Sequence, residues 1–182
     1  SDLYCPNPSC PGRVVEGIIH FASRDAMDIR GLGEERVRQL VAAGLVHNVA
    51  DLYRLSVDQL IALDRFGAQS AGQLVAAISG SKSQPLSLFL YGLGLRHVGK
   101  TVALALARHF GTLERLRAAP EAAIGDVAGV GPIIAAAVGA WFDDPRSAAL
   151  ADDLVEQGLT TSEPQRDAGP GPFSGLTVVL TG

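Results

Sequence analysis

Apolar side chains recur at helical spacing in short segments between residues 21 and 160, and glycines interrupt these segments. The spacing predicts helices of about 10 to 14 residues, because positions three and four apart share one face of a helix. Strand patterns are scarce in this part of the chain. We therefore expect a mainly α fold, with a helical domain over residues 21–160.

A five-residue unit, apolar–x–(Gly)–apolar–Gly, occurs four times, at residues 29–33, 63–67, 95–99 and 127–131. The final glycines are 34, 32 and 32 residues apart. After each of them, the positions four, seven and eleven further on are small or apolar, which predicts a helix that begins just past the glycine. Each repeat is thus predicted to be a helix, a tight glycine turn and a second helix, and the domain to be a tandem of four helix-hairpin-helix motifs.

Such a hairpin offers a site for one anion. Glycine lets a ligand approach the backbone closely, and the free N–H groups at the start of the second helix point at it, together with the positive end of the helix dipole. A DNA phosphate suits this site, and such contacts carry no sequence information. The predicted DNA-binding residues are Gly31, Gly33, Gly67, Arg96, His97, Gly99, Lys100, Gly129 and Gly131.

Two alternatives stay open for these glycines. They could serve only tight packing in a helical solenoid, in which case the protein would bind other proteins and no DNA. In addition, Arg65 and His97 stand where the other two copies have their first glycine, which leaves open a different turn in the second and third hairpins.

The formal net charge of −4 argues against nucleic acid at first, since phosphate binding depends on Lys and Arg. The charge is unevenly distributed, however. Residues 81–117 carry one acidic side chain, Glu114, and six basic ones, for a net charge of +5: Lys82, Arg96, Lys100, Arg108, Arg115 and Arg117. No apolar run reaches the roughly 20 residues of a membrane span, and two cysteines cannot form a disulfide framework. We expect a soluble cytoplasmic protein that makes no membrane contact.

Residues 94–101, from Gly94 to Lys100-Thr101, match the phosphate-binding loop G-x-x-x-x-G-K-[ST] of nucleotide hydrolases. The preceding LSLFLYGLG even resembles a strand. The match nevertheless coincides with the third hairpin, and no apolar strand ending in Asp follows to hold magnesium. A nucleotide hydrolase is therefore the weaker interpretation of this segment.

The two ends of the chain differ from its helical middle. Residues 1–13 are rich in Pro and contain Cys5 and Cys10, half of a four-ligand zinc site, for which His20 is a further candidate ligand. Residues 161–172 are polar with Pro and Gly and predict a linker. Residues 173–182, FSGLTVVLTG, have the pattern of a buried strand, which predicts the start of a further domain.

Two segments carry a family resemblance. HFASRDAMDIRGLG, residues 20–33, and LGLRHVG, residues 93–99, resemble the C-terminal half of bacterial NAD-dependent DNA ligases. The order of parts is similar too: a zinc finger, four helix-hairpin-helix motifs, a linker and the first strand of an α/β BRCT domain. The resemblance divides the chain into a partial zinc finger (1–20), the DNA-binding domain (21–160), the linker (161–172) and the BRCT start (173–182).

The resemblance implies a function for the parent enzyme. Such ligases transfer AMP from NAD to a lysine and then to a 5′-phosphate, with magnesium as the metal, and seal nicks in duplex DNA during replication and repair. It also implies that Cys5 and Cys10 are the last two of four zinc ligands, with the first pair before Ser1, and that His20 is an ordinary residue at a helix start. The chain has no Lys-x-Asp-Gly nucleophile motif. We expect a monomer that binds nicked duplex DNA and is catalytically silent alone.

Two further functions remain as alternatives. An independent helix-hairpin-helix module could recognise DNA junctions or recruit a nuclease without any connection to ligation. A base-excision glycosylase also uses a glycine hairpin, but it requires a catalytic Asp about 20 residues further on, and Asp143-Asp144-Pro145 does not supply the expected setting.

Overall fold

The computed structural model describes residues 10–165, which form ten α-helices and one 3-10 helix. Extended pairing in this range is limited to a single antiparallel bridge between Thr112 and Ser162. The predicted mainly α fold is thus confirmed for the described residues. In chain order the α-helices are α1 (Pro11–Ala22), α2 (Glu34–Ala42), α3 (Val57–Ile61), α4 (Ala68–Ser81), α5 (Leu86–Gly92), α6 (Lys100–Phe110), α7 (Leu113–Ala118), α8 (Glu121–Gly125), α9 (Pro132–Asp143) and α10 (Pro145–Glu156), and the 3-10 helix is Val49–Arg54.

Four helix pairs form the predicted hairpins. Helix α1 packs against α2, α3 against α4, α5 against α6 and α8 against α9. We call them hairpins 1 to 4. In each pair the second helix begins at the residue after the final glycine of the repeat, so that Gly33, Gly67, Gly99 and Gly131 are the N-cap residues. The sequence thus predicts the starts of these four helices correctly.

The four hairpins share one turn conformation. The third residue of each repeat has a left-handed backbone, with φ of +88° at Gly31, +66° at Arg65, +66° at His97 and +83° at Gly129. In hairpins 1, 3 and 4 the amide of the fourth residue also donates to the carbonyl of the first, as in a type II turn. The alternative turn left open for hairpins 2 and 3 is wrong, because Arg65 and His97 adopt the strained conformation themselves.

The apolar positions of the repeats point into one core. Leu32, Phe66 and Val98, which stand between the turn position and the final glycine, are buried in hairpins 1 to 3. The predicted inner faces of the second helices are buried as well, at Val37, Leu40, Ala71, Leu74, Ile78, Ala103, Leu106, Ala135 and Val138. In hairpins 1 to 3, burying this apolar residue leaves the neighbouring glycines at the surface.

Hairpins 1 and 3 are joined through their first helices, α1 and α5. Nε2 of His20, in the last turn of α1, lies 2.7 Å from the carbonyl oxygen of Tyr91, and the two rings meet edge to face. Next to this contact Gly92 is buried, and a Cβ at that position would lie 3.2 Å from Cδ2 of Phe21. His20 is therefore a packing residue near the end of a helix, and the expectation that it stands at a helix start is wrong.

The helical domain extends beyond both expected boundaries within the described range. Helix α1 begins at Pro11, and its Val15 and Ile18 are buried in the common core. At the other end, the amide of Thr160 donates to the backbone carbonyl of Lys82. The carboxylate of Glu163 accepts hydrogen bonds from the amide and hydroxyl of Ser87. Residues 11–20 and 161–163 thus pack with the hairpins. Cys5, most of the expected linker and the expected strand 173–182 lie outside the described residues.

Two groups that hold the 3-10 helix have shifted pKa values. Burial raises the pKa of Tyr53 to about 12, and its hydroxyl is hydrogen-bonded to Oγ of Ser81. Hydrogen bonds from Arg54 hold the pKa of the Asp153 carboxyl on α10 below its usual value. Both contacts fasten the 3-10 helix to its neighbours and belong to the scaffold.

Candidate nucleic-acid interface

The final glycine of each hairpin is not required by the fold. Gly33, Gly67, Gly99 and Gly131 have φ values between −83° and −135°, in the extended region that any residue adopts. A Cβ built on any of the four meets no atom within 4 Å. Neither backbone strain nor internal packing therefore explains these four glycines. Their common property is a bare backbone surface at the start of a helix.

Unbonded amides surround these glycines. The carbonyl of each final glycine accepts the first intrahelical bond, from Val37, Ala71, Ala103 and Ala135 respectively. The preceding amides in the first turn have no intrahelical acceptor, as at any helix N-terminus. Among the described residues, no side chain accepts from the first-turn amides of α2, α4, α6 or α9. All four hairpins thus present free N–H groups together with the positive end of a helix dipole, an arrangement that attracts an anionic oxygen.

Hairpin 3 has the most favourable charges for an anion. Arg96 and His97 in its turn are exposed, and neither has a side-chain partner among the described residues. Lys100, the first residue of α6, is exposed and forms an ion pair of 3.1 Å with Asp25, which lies in the loop of hairpin 1. Helix α6 has no acidic residue in its first turn. Here side-chain cations and backbone amides converge on one tip.

Hairpin 4 presents an exposed backbone at its turn but no charged side chain there. Its turn residues Ala128 and Gly129 are exposed, Gly131 is half-buried, and α9 has no acidic residue in its first turn. Pro132, the first residue of α9, has no N–H, so the free donors at this tip are the amides of Gly131 and the residues after Pro132. An anion would be held here by the backbone alone.

Hairpin 1 combines the same backbone with carboxylates. Glu34 and Glu35 occupy the first turn of α2, where they oppose a bound anion. Glu34 is paired with Arg38 at 2.8 Å, and Glu35 with Arg65 of hairpin 2. Arg30, the second residue of the turn, is exposed and has no side-chain partner among residues 10–165, so it is a cation that sequence reasoning missed. It could have been found, since it is the counterpart of Arg96 in the repeat.

Hairpin 2 is closed in part by its own residues. The amide of Gly67 donates to Oγ of Ser70 at 3.0 Å, which removes one donor from the tip. Gln39 of α2 donates to the carbonyl of Asp64 in the turn, and Arg36 of α2 lies 4.7 Å from the centroid of the Phe66 ring. These contacts fasten the tip of hairpin 2 to hairpin 1. Of the four tips it has the fewest free groups.

The basic segment 81–117 does not converge on one site. Arg96 and Lys100 lie at the tip of hairpin 3, whereas Arg117 pairs with Asp152 of α10 at 2.6 Å and Lys82 lies over the ring of Tyr53. Arg108, near the far end of α6, and Arg115, on α7, are exposed. The net charge of +5 is thus divided between the hairpin tip, the scaffold and the surface at the other end of α6.

Neither the phosphate-binding-loop pattern nor a complete metal site is supported by the described part of the chain. The segment before Gly94 is the helix α5, not a strand, and Lys100 follows a hairpin glycine. Cys10 is the N-cap residue of α1 and is half-buried. Within residues 10–165 no group of three or more metal-ligating side chains occurs. In the same range no helix combines the length and the apolar character that a bilayer crossing requires.

Comparison with known proteins identifies the hairpins. The profile of a SAM-like helix-hairpin-helix tandem matches residues 23–79, which contain the turns of hairpins 1 and 2. The profile of a helix-hairpin-helix motif matches residues 88–151, which contain the turns of hairpins 3 and 4. The tandem of helix-hairpin-helix motifs predicted from the repeat is thus confirmed.

Several curated proteins are similar over nearly the whole chain, and each is named DNA ligase. Identity is 50% over 180 residues with that of Gemmatimonas aurantiaca, 46% over 182 residues with that of Heliobacterium modesticaldum, and 44% over 186 residues with that of Halalkalibacterium halodurans. Each alignment covers 99% of this chain and 26%, 27% and 28% of the respective relative. The chain spans about a quarter of the length of these relatives. Over nearly its whole length the chain is therefore similar to one segment of these DNA ligases, and in this chain that segment contains the tandem of helix-hairpin-helix motifs.

Proposed function

We propose that this chain is the DNA-binding part of an NAD-dependent DNA ligase that seals nicks between a 5′-phosphate and a 3′-hydroxyl. The observation that carries the proposal is the set of glycines that the fold does not need. Four helix N-caps have an ordinary backbone and open space at the Cβ position. A close external contact accounts for glycine at such positions, and a DNA phosphate matches the amides beside it.

The hairpins contribute unequally in this proposal. Hairpin 3 adds Arg96, His97 and Lys100 to its amides and is the strongest site, and hairpin 4 binds through its backbone. Hairpin 1 binds a phosphate with the help of Arg30 in its turn, but the carboxylates in the first turn of α2 repel the phosphate and weaken this contact. Hairpin 2 is the weakest because Ser70 occupies the amide of Gly67. All four contacts are to the sugar-phosphate backbone, so binding is independent of the DNA sequence.

Catalysis belongs to other parts of the parent enzyme. The chain contains only two lysines, Lys82 and Lys100, and neither stands in a Lys-x-Asp-Gly motif. Lys100 is already paired with Asp25 at a hairpin tip. We propose that NAD and magnesium act elsewhere in the ligase and that this chain alone neither takes up AMP nor seals a nick. Incubation with NAD, magnesium and nicked duplex should then yield no sealed product.

The zinc site is a proposal of the same kind. Cys5 and Cys10 would supply two thiolates of a four-ligand site, and two further ligands would come from the remainder of the parent enzyme. Zinc would order a segment that cannot bury a core of its own. We also propose a cytoplasmic, monomeric protein. Equimolar zinc that stays bound to this chain through gel filtration would show that its own groups complete the site.

The function is tested by binding to a labelled nicked duplex across a salt series. We expect affinity that falls as salt rises and that is equal, within about twofold, for two unrelated sequences of the same geometry. Arg96→Gln should weaken binding, whereas Arg146→Gln, an exposed arginine on α10 away from the hairpin turns, should not. No binding at low salt would overturn the proposal. A clear preference for a four-way junction over a nicked duplex would favour the independent junction-binding module instead.

A further inference from the structure

Ile133 is an exposed apolar side chain at the tip of hairpin 4. It is the second residue of α9, two positions after Gly131, and is 72% exposed. The other two exposed large apolar residues of the described range, Ile61 and Val155, are 43% and 42% exposed. Ile133 therefore contributes little to the core, although it stands beside one of the four proposed phosphate contacts.

The other three hairpins place a polar residue at this position. Their counterparts of Ile133 are Glu35, Gln69 and Thr101, each two residues after the final glycine and each exposed. Hairpin 4 also lacks a charged side chain in its turn, where Ala128 is exposed. One tip of the tandem is thus apolar while its glycine backbone matches the others, which indicates that it meets a less polar part of the ligand.

We infer that Ile133 enters the minor groove of the bound duplex beside the nick and gives the chain its preference for nicked over intact DNA. The inference rests on the proposed function. A side chain that flanks a backbone phosphate can reach only a few apolar surfaces of DNA, namely the sugars and the exposed faces of a base step. Apolar side chains that enter the minor groove between base steps partly unstack them and bend the duplex.

The nick supplies the selectivity. Unstacking and bending have a deformation cost that depends on how easily the DNA yields. An interrupted strand removes one backbone constraint at that step, so an apolar wedge deforms a nicked duplex at lower cost than an intact one. The cationic tip of hairpin 3 has no such dependence, because it contacts phosphates that both duplexes share. Affinity thus comes mainly from hairpin 3, and discrimination from Ile133.

The test compares Ile133→Gln with a matched control. Glutamine is the residue of hairpin 2 at this position and replaces the apolar side chain with a polar one, and Val155→Gln alters a second exposed apolar residue, on α10. Binding is measured with nicked and intact duplexes of one sequence, with 2-aminopurine next to the nick to report unstacking. We expect Ile133→Gln to reduce the nicked-to-intact affinity ratio by about three- to tenfold and to abolish the fluorescence rise, with wild-type stability.

The outcomes separate this inference from the proposed function. If Ile133→Gln leaves the affinity ratio and the fluorescence at wild-type values, Ile133 is not the wedge, while DNA binding by the wild-type chain still supports the function. An equal loss of affinity for both duplexes without a fluorescence change would also overturn the inference, since contact without unstacking gives no preference. Failure of the wild-type chain to bind either duplex would contradict the function itself.

Discussion

Gly129 and Gly131 stand two residues apart in hairpin 4, but only Gly129 has a backbone conformation that requires glycine. Its φ is +83°, whereas that of Gly131 is −135°. A Cβ at either position meets no atom within 4 Å. The first glycine therefore serves the turn, and the second leaves the helix N-terminus open to a ligand.

This difference predicts that Gly129→Ala alters stability, whereas Gly131→Ala alters DNA binding. Gly129→Ala forces a side chain into the left-handed region and should lower the free energy of unfolding by about 1–2 kcal/mol. Gly131→Ala should change it by less than about 0.5 kcal/mol, because the entropy lost from the unfolded chain offsets a slightly poorer N-cap. Gly131→Ala should nevertheless weaken binding to nicked duplex about tenfold, because its methyl group would keep the phosphate from approaching the amides and weaken a charge-assisted contact. Urea unfolding and fluorescence anisotropy measure the two effects, and wild-type affinity for folded Gly131→Ala would remove hairpin 4 from the interface.

The contact between α1 and α5 predicts that Gly92→Ala is destabilising. The new Cβ would lie 3.2 Å from Phe21 and 3.5 Å from Met27, both fully buried, so the two helices must separate slightly. We expect a loss of about 1–3 kcal/mol in the free energy of unfolding. Gly72→Ala is the matched control, since it lies inside α4 with open space at its Cβ and should stabilise by about 0.5–1 kcal/mol. Equal effects of the two variants would contradict the tight contact.

The strained turn of hairpin 3 predicts that His97→Gly is stabilising. A non-glycine residue with a φ of +66° pays a cost that glycine avoids, and glycine loses part of that advantage through its greater freedom in the unfolded chain. The net gain should be about 0.5–1 kcal/mol in urea unfolding. His97→Ala keeps the strain and serves as the control. A His97→Gly variant no more stable than His97→Ala would show that the turn carries no strain.

The buried phenol of Tyr53 predicts a loss of stability in strong alkali. Its pKa is raised to about 12, so the folded protein holds a proton that the unfolded chain releases near pH 10. The contribution is complete below about pH 10 and is lost as the pH rises toward 12. Absorbance at 295 nm should show a phenol that ionises near pH 12, and Tyr53→Phe should remove this late step. A folded protein without such a late step would contradict the raised pKa of Tyr53.

Much of the fold could be predicted because the repeat combines two local signals. Glycine marks the turn, and helical periodicity after it places the start of α2, α4, α6 and α9. The start of α1 was also detectable, from Pro11 at its first position and the spacing of Val15 and Ile18, although the domain was expected to begin later. Periodicity cannot show that Arg65 and His97 tolerate a left-handed backbone, because the surrounding fold imposes that conformation.

The ranking of the four tips depends on contacts between residues distant in sequence. Asp25 reaches Lys100 across 75 positions and Arg65 reaches Glu35 across 30, so pairing changes the charge available at each turn. The Ser70 hydroxyl that occupies the amide of Gly67 is local, but it depends on a rotamer that the sequence does not specify. The sequence thus identified the four hairpins, and only the packed structure distinguishes their tips from one another.

The central claim is that backbone amides at the hairpin tips bind DNA phosphates, and a nitrogen-edited NMR titration tests it directly. On addition of nicked duplex, the amide signals of Gly99 and Gly131 should shift most, those of Gly33 should shift less, and that of Gly67 least because Ser70 already accepts its hydrogen bond. The amide of Gly72, inside α4, should stay unchanged. Saturable binding that leaves the Gly99 and Gly131 amides unmoved while other surface amides shift would contradict the account.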